Sequence, residues 1–334
     1  TSLATGAGAT KRLSLYGRWV DPIASAVPRT HTTLSAWAAE GRAGAGLSVD
    51  RSLRDHLGFG SDPHVGFDAL WMATTEIGYL DRGLWDDAGT VEGGPWWSTT
   101  STHGETVFRA RVGARGGVVY SNPGSGIVSP TRYDFEGFGR FTGEVSVRAP
   151  LMSGTRMGLR LFAGAYTGAS TPIRQRRIPV AGADPYETFT DPLLRSRGAL
   201  FLRPDFYYHA PGNADLRGLG RDLGGRWAVS ANGELSRSLG RREHGFLREA
   251  SLMGFWDVGL VDTLAVPATT PGRSSTAVYD GGLGLVTRHH LGDLDWTMRF
   301  ETPLVVHPYQ FAAEDVAGKA RLALRWQVSL SPSF

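Results

Sequence analysis

The chain has 334 residues, no cysteine, and a formal net charge of +3 from 35 basic and 32 acidic residues. The lack of cysteine excludes a disulfide scaffold, a Cys-ligated zinc site and a thiol nucleophile, and a near-balanced charge without any dense Lys/Arg block argues against a nucleic-acid partner. No run approaches the ~18 uninterrupted apolar residues of a membrane-crossing helix, while glycine, at 45 residues, is about twice its ~7% share in ordinary domains.

Thr1 to Arg12 lacks the basic, apolar and small-residue regions of a secretion signal, so the sequence reads as a mature or excised piece of chain. Candidate strands follow near 11–21, 29–39, 43–54 and 64–78, and again near 105–121, 132–149 and 155–167. Their signal is a two-residue period. Phe135, Phe141, Val145 and Val147 oppose Asp134, Glu136, Arg140, Thr142, Glu144 and Arg148, and Met157, Leu159 and Leu161 oppose Arg156 and Arg160. A helix would scatter both sets around its circumference. An irregular stretch from Gly168 to Gly225 comes next, with a short hairpin expected over Ala199 to Tyr208. Its run Arg174-Gln175-Arg176-Arg177 is expected to be solvated or to touch acidic lipopolysaccharide.

Five more strands are expected near 226–238, 246–262, 276–289, 293–304 and 318–334, twelve in all. Leu294, Trp296, Met298 and Phe300 oppose Asp293, Asp295, Thr297, Arg299 and Glu301. Ala320, Leu322, Leu324, Trp326, Val328, Leu330 and Phe334 oppose a wet face that carries Arg321 and Arg325. Asn122 to Gly126, Gly240 to Gly245, Pro271-Gly272 and Gly292-Asp293 punctuate the strands. In the C-terminal half, short and long connections alternate. Counted back from Phe334, Tyr79 to Gly104 falls on the short-turn side, yet it is too long and too rich in Gly and Trp for a turn. A further strand is therefore expected inside it.

In a soluble sandwich or small barrel the oily faces point inward and strands average five or six residues. Many here exceed ten. A soluble antiparallel sheet with its charged face in bulk water is the alternative reading. If instead the charged faces lined a dry interior, Arg140, Glu144, Arg148, Arg160, Arg299 and Glu301 would each need a partner or cost several kcal/mol. A wet lumen with lipid outside resolves this. The expected fold is all-β, an antiparallel transmembrane β-barrel of 12–16 strands formed by a single domain over 1–334. Hydrocarbon demands that the edges of such a sheet be paired. Trp71, Trp227, Trp256 and Phe334 are candidates for aromatic girdles at the interfaces.

Three features add a resemblance. The approach Pro211-Gly212-Asn213 leads into Asp215-Leu216-Arg217-Gly218-Leu219, Phe255-Trp256-Asp257-Val258-Gly259 lies inside the strand 246–262, and an amphipathic strand carrying Trp326, Val328 and Leu330 ends on Phe334. The order and spacing of these motifs resemble the BamA-type superfamily of outer-membrane insertases and transporters, the bacterial surface antigen family, specifically over about the last 125 residues. Leu219 departs from the aromatic usual at its position. The resemblance implies sixteen strands, the missing ones lying before Thr1 or hidden in Ile77 to Glu105. It also implies that 169–225 is an extracellular loop folded into the lumen, with the arginine of Leu216, Arg217, Gly218 and Leu219 meeting Asp257 in the motif of Phe255, Asp257 and Gly259. Period-two reading turns Ser251, Phe255, Asp257 and Gly259 inward and Leu252, Trp256, Val258 and Leu260 outward. Glu234, inward with Ser230, Asn232 and Ser236, is placed to share the arginine. Trp326, Val328, Leu330 and Phe334 resemble the signal read by barrel-assembly machinery.

The function so implied is insertion or passage of polypeptide clients at the bacterial outer membrane, with lipid and lipopolysaccharide as surroundings. The alternative is a passive barrel anchoring an upstream enzyme such as a peptidase or lipase, and an upstream domain is expected in either case. No Gly-x-Ser-x-Gly elbow, His-Glu-x-x-His helix, phosphate loop or dinucleotide fingerprint occurs, so no catalytic residue, metal or cofactor is expected. His289-His290 is read as a turn, His103 as solvated, and Asp86-Asp87 and Asp293/Asp295 as ordinary surface or lumen residues.

Overall fold

The structure, a computed structural model, describes residues 15–20, 29–39, 42–53, 61–74, 86–121, 135–168, 171–181, 212–219, 224–242, 244–262, 264, 274–291, 294–306 and 325–332. The strands run β1 (Leu15–Val20), β2 (Thr30–Ala39), β3 (Arg42–Ser52), β4 (Ser61–Thr74), β5 (Ala88–His103), β6 (Thr106–Ser121), β7 (Glu136–Met152) and β8 (Thr155–Gly168). A single 3-10 turn at Arg174–Arg176 precedes the two-residue strands β9 (Ile178–Pro179) and β10 (Gly224–Gly225). Then come β11 (Trp227–Arg241), β12 (Leu247–Asp262), β13 (Ser275–Leu291), β14 (Leu294–Val306) and β15 (Arg325–Pro332). All but β9 and β10 form one 13-stranded antiparallel sheet in chain order, except that β8 pairs directly with β11. The strand expected between Tyr79 and Gly104 is β5. Its alternation is masked in the sequence by Gly89, Gly93, Gly94 and Pro95, which take four of its 16 positions.

Thirteen long strands stand among the described residues where the resemblance implies sixteen. Among those residues β1 and β15 are the sheet's edges, with no ladder between them. Consecutive strands are joined by tight turns at one end. His103 pairs with Thr106 and Met152 with Thr155, around Gly104 at φ +58° and Gly154 at φ +72°. Left-handed backbone of this kind suits the twist of a short hairpin and costs glycine little. His289 and His290 are not a turn: both lie in β13, opposite Trp296 and Asp295.

The two faces separate as the period implies. Phe141, Val145, Leu161, Leu235, Leu252, Val258, Leu260 and Leu283 are exposed, while Arg140, Asp257, Asp280 and Glu301 are buried on the other face. Trp256 is 49% exposed in mid-strand rather than at an end, and it lies across Gly233, where a Cβ would fall 2.0 Å from its ring. Trp96 covers Gly66 in the same way. Part of the glycine excess is thus room for aromatic rings on neighbouring strands.

The buried face is buried by the chain itself. Residues 171–181 and 212–219 fold against it as two limbs, joined where Leu216 N–H donates to Val180 O at 2.7 Å and where β9 pairs with β10. One apolar cluster packs Ile178, Val180, Ala214, Leu216 and Leu219 on Phe162 of β8, Ala228 of β11, Val261 of β12 and Val278 of β13. A second packs Ile173 with Ala88, Val119, Phe138 and Tyr166. Flat, β5 and β14 would stand more than ~30 Å apart at ~4.8 Å per strand, yet this one segment reaches both. The sheet is therefore curled around it. Residues 182–211, with the hairpin expected over Ala199 to Tyr208, lie outside the described residues.

Candidate functional site

Arg217 stands at the centre of the curl and is 3% exposed. It is carried there by backbone that few residues adopt: Asn213 and Asp215 have φ of +49° and +45°, a region that Asn and Asp tolerate better than most. Side chains along 212–216 consequently alternate between the apolar cluster, which takes Ala214 and Leu216, and an open chamber, which takes Asn213 and Asp215. The inner wall holds this turn directly: Ser230 Oγ donates to Ala214 O at 2.7 Å, and Asn232 Nδ2 donates to Asp215 O at 3.0 Å.

The guanidinium meets Asp257 as a two-pronged pair, with Nε to Oδ2 and Nη2 to Oδ1 both at 2.8 Å. Its remaining nitrogen, Nη1, donates to Glu234 at 2.8 Å and to Glu301 at 3.2 Å. The ring of Phe255 lies under it, 4.2 Å from centroid to Cζ. Asp257 is fully buried and also accepts from Arg217 N–H at 3.2 Å and from Asn232 at 3.0 Å. Burial by itself would lower the pKa of Arg217, but the hydrogen-bonded Asp257 carboxylate outweighs it and raises the pKa, so the group stays charged. Charge-assisted and two-pronged bonds of this kind are the strong ones, and a lysine cannot reproduce them.

The neighbours of Arg217 are fitted just as closely. Leu216 reaches Gly259, where a Cβ would meet its Cδ1 at 3.2 Å, and Leu219 is buried in the apolar cluster where an aromatic was the usual residue. Gly218 presses on β13, so a Cβ there would sit 2.6 Å from Cβ of Asp280. Gly218→Ala is accordingly expected to lift the tip away from the wall, exposing 212–219 to limited proteolysis while the strands stay protected.

The two residues that the resemblance pairs, Arg217 and Asp257, are thus in contact, with Glu234 beside them. Trp326, Val328 and Leu330 lie in β15, opposite Phe300, Met298 and Trp296 of β14, and Phe334 is outside the described residues. Three members of the cluster were not singled out in the sequence. Glu301 and Asn232 sit on faces the period already turned inward. Asp280, directly across the β12–β13 ladder from Asp257 and buried, carries no motif.

A second buried pair holds the other limb. Arg176 is fully buried and donates through Nη2 to Glu92 of β5 at 2.6 Å. Gln175 and Asp86 exchange two bonds, at 3.0 and 3.1 Å, and Arg174 N–H donates to Asp86 Oδ2 at 2.8 Å. Asp87 is buried and accepts from Thr74 Oγ1 at 3.0 Å. The expectation of a solvated or lipopolysaccharide-facing arginine run is corrected here: only Arg174 of the four is exposed. The reason is that Ile173, Ile178 and Val180 drag the run inward, and Glu92 supplies the countercharge that makes burial tolerable. Asp86-Asp87 is likewise an anchor rather than plain surface.

No protein-family model matches the chain, and no curated protein does. Solved structures do. CdiB from Escherichia coli superposes with a TM-score of 0.52 at 13% identity, covering 96% of this chain and 50% of that one, so the chain spans about half the length of CdiB. BamA from Haemophilus ducreyi lacking POTRA domains 1–3 gives 0.43 at 12% identity over 98% and 69% of the two chains, and CdiB from Acinetobacter baumannii gives 0.41 at 8% identity over 96% and 56%. At this identity the likeness is one of fold: with its curled antiparallel sheet, the chain has the fold of CdiB from Escherichia coli.

Proposed function

We propose that this chain is the membrane-spanning barrel of an outer-membrane protein of the BamA type, acting in the insertion or translocation of polypeptides. The observation that carries this is an inside-out distribution of side chains. Leucines, valines and aromatics in mid-strand are exposed over successive strands, while buried ion pairs occupy the face against the folded-in segment. Strands β4 to β8 and β11 to β14 have 13 to 17 residues, more than the ~9–11 that a tilted transmembrane strand needs. In lipid the edges β1 and β15 have to be satisfied, so the sheet closes along a seam, either between them or through strands outside the described residues. That seam is the weak wall through which a strand-forming client would pass. Residues 171–181 and 212–219 then enter from the extracellular side and brace the inner wall. Outer-membrane lipid, lipopolysaccharide and the assembly machinery that reads Trp326, Val328, Leu330 and Phe334 are its surroundings.

Depletion tests the reading. A general fall in outer-membrane barrel proteins, or loss of one secreted polypeptide, is expected. Loss of a single hydrolytic activity with other barrels intact would instead identify a passive anchor. The lipid-facing surface has its own test in Leu283→Arg, at the middle of β13 on the exposed face. It should cost ~2–4 kcal/mol at the bilayer midplane, read as loss of the heat-modifiable band in membranes, whereas an exposed leucine of a water-soluble sheet would accept arginine almost without effect.

A further inference from the structure

The interior that the segment leaves unfilled is a chamber of about 530 Å³ at the tight-turn end of the sheet, beneath Gly212, Asn213 and Asp215. Seven arginines line it against four acids, Glu144, Asp215, Glu234 and Glu301, a lining excess of +3. Several of the arginines are neutralised. Arg160 donates to Glu144 at 2.6 Å, Arg115 is bonded to Asp68 at 2.9 Å, and Arg299 contacts both Glu234 and Glu301. Arg109, Arg111 and Arg148 make no ion-pair contact among the described residues, although Arg111 stands across the ladder from Glu144, which Arg160 already holds, and Arg148 feels the more distant Glu234. All three are exposed to the chamber, and Arg111 rests over the ring of Trp96 at 5.3 Å.

Their arrangement is regular. Arg109 and Arg111 share one face of β6 two residues apart, which sets them ~7 Å from each other. Arg148 pairs with Val107 on β7 and is therefore the diagonal neighbour of Arg109, about 7–8 Å away. Like charges this close repel, and Glu144, shared with Arg160, offsets only part of that repulsion, so the cluster favours an anion among them. An extended peptide presents alternate side chains on one side at the same ~7 Å spacing.

We propose that this chamber is a docking site for acidic stretches of an extended polypeptide, with carboxylates at alternate positions, and that Arg109, Arg111 and Arg148 select them. This rests on the polypeptide-handling reading above and names the chemistry of its client. The place agrees with the charge. The chamber lies on the hairpin side of the segment, and the apolar cluster with Ala214 and Leu216 lies on its other side. Half-desolvated walls make such steering stronger than on an open surface, and screening by salt weakens it.

The test uses the whole chain in detergent and three fluorescent ten-residue peptides, alternating Glu-Ser, alternating Lys-Ser and alternating Gln-Ser, followed by anisotropy. The acidic peptide should bind about tenfold or more tightly than the other two and lose most of that advantage between 50 and 500 mM salt. Arg109→Gln/Arg111→Gln/Arg148→Gln should abolish the preference, while Arg51→Gln, outside the chamber, leaves it intact. The triple variant removes repulsion, so its heat-modifiable band should persist. Equal binding of the three peptides, or an unchanged preference in the triple variant, overturns the proposal. So does inorganic phosphate that binds as tightly as the acidic peptide, which would mark a simple anion site. A chain that needs detergent and passes the depletion test, yet ignores the acidic peptide, sinks this inference alone; a chain monodisperse without detergent sinks both.

Discussion

Arg217→Ala is expected to free the folded-in segment and to leave Asp257 without its guanidinium, while Glu234 and Glu301 keep Arg299. Breaking a buried pair by removing one partner costs roughly 3–5 kcal/mol, because the surviving charge remains desolvated. Here Asp257 loses both prongs and the bond to the neighbouring backbone loosens with the turn. Limited proteolysis should cut within 212–219, which is protected in the parent chain, and the heat-modifiable band should weaken. Arg217→Lys should recover only part of the loss: a point charge satisfies one carboxylate, whereas the planar fork satisfies Asp257 with two nitrogens and leaves a third for Glu234 and Glu301. Asp257→Asn should be milder than Arg217→Ala, since the arginine keeps two carboxylates. An unchanged, protease-resistant segment in both alanine variants, Arg217→Ala and Asp257→Ala, would show that the apolar cluster alone holds it.

Arg176→Met is expected to be the second largest effect. It strands Glu92, which then keeps only Arg115 at 3.4 Å, and a cost of ~3 kcal/mol follows from the same unpaired-charge argument. Arg176→Met/Glu92→Leu should recover much of it, because no buried charge remains and Arg115 retains Asp68. Unfolding in detergent measures both. Combined with Arg217→Ala, Arg176→Met should destabilise by more than the two separate losses added, since each pair holds one limb of the same segment and either can keep it docked. Simple additivity would mean that the limbs detach independently.

Much of this arrangement is local in origin and therefore legible. A strand turns successive side chains to opposite faces whatever lies around it, so the inward facing of Asp257 and Glu234, the outward facing of Leu252, Trp256, Val258 and Leu260, and the presence of twelve of the thirteen long strands can be read from spacing. Even β5 announces itself by parity, although its glycines hide the alternation. The motif around Arg217 is legible for a different reason: glycine and asparagine mark a turn, and the resemblance supplies its partner.

The tertiary structure alone decided which interior charges meet. Arg176 and Glu92 are 84 residues apart, and neither belongs to a motif. Seen as sequence, Arg174-Gln175-Arg176-Arg177 is a polar run that water should cover, and only the entry of Ile173 and Ile178 between the walls carries Arg176 to β5. The same holds for Asp280 beneath Gly218 and for the gathering of Arg109, Arg111 and Arg148 along one chamber. The face a residue occupies follows from the period of its own strand, but its partner across the interior follows from how far the sheet curls and where the returning segment enters, and neither is written in any short stretch of chain.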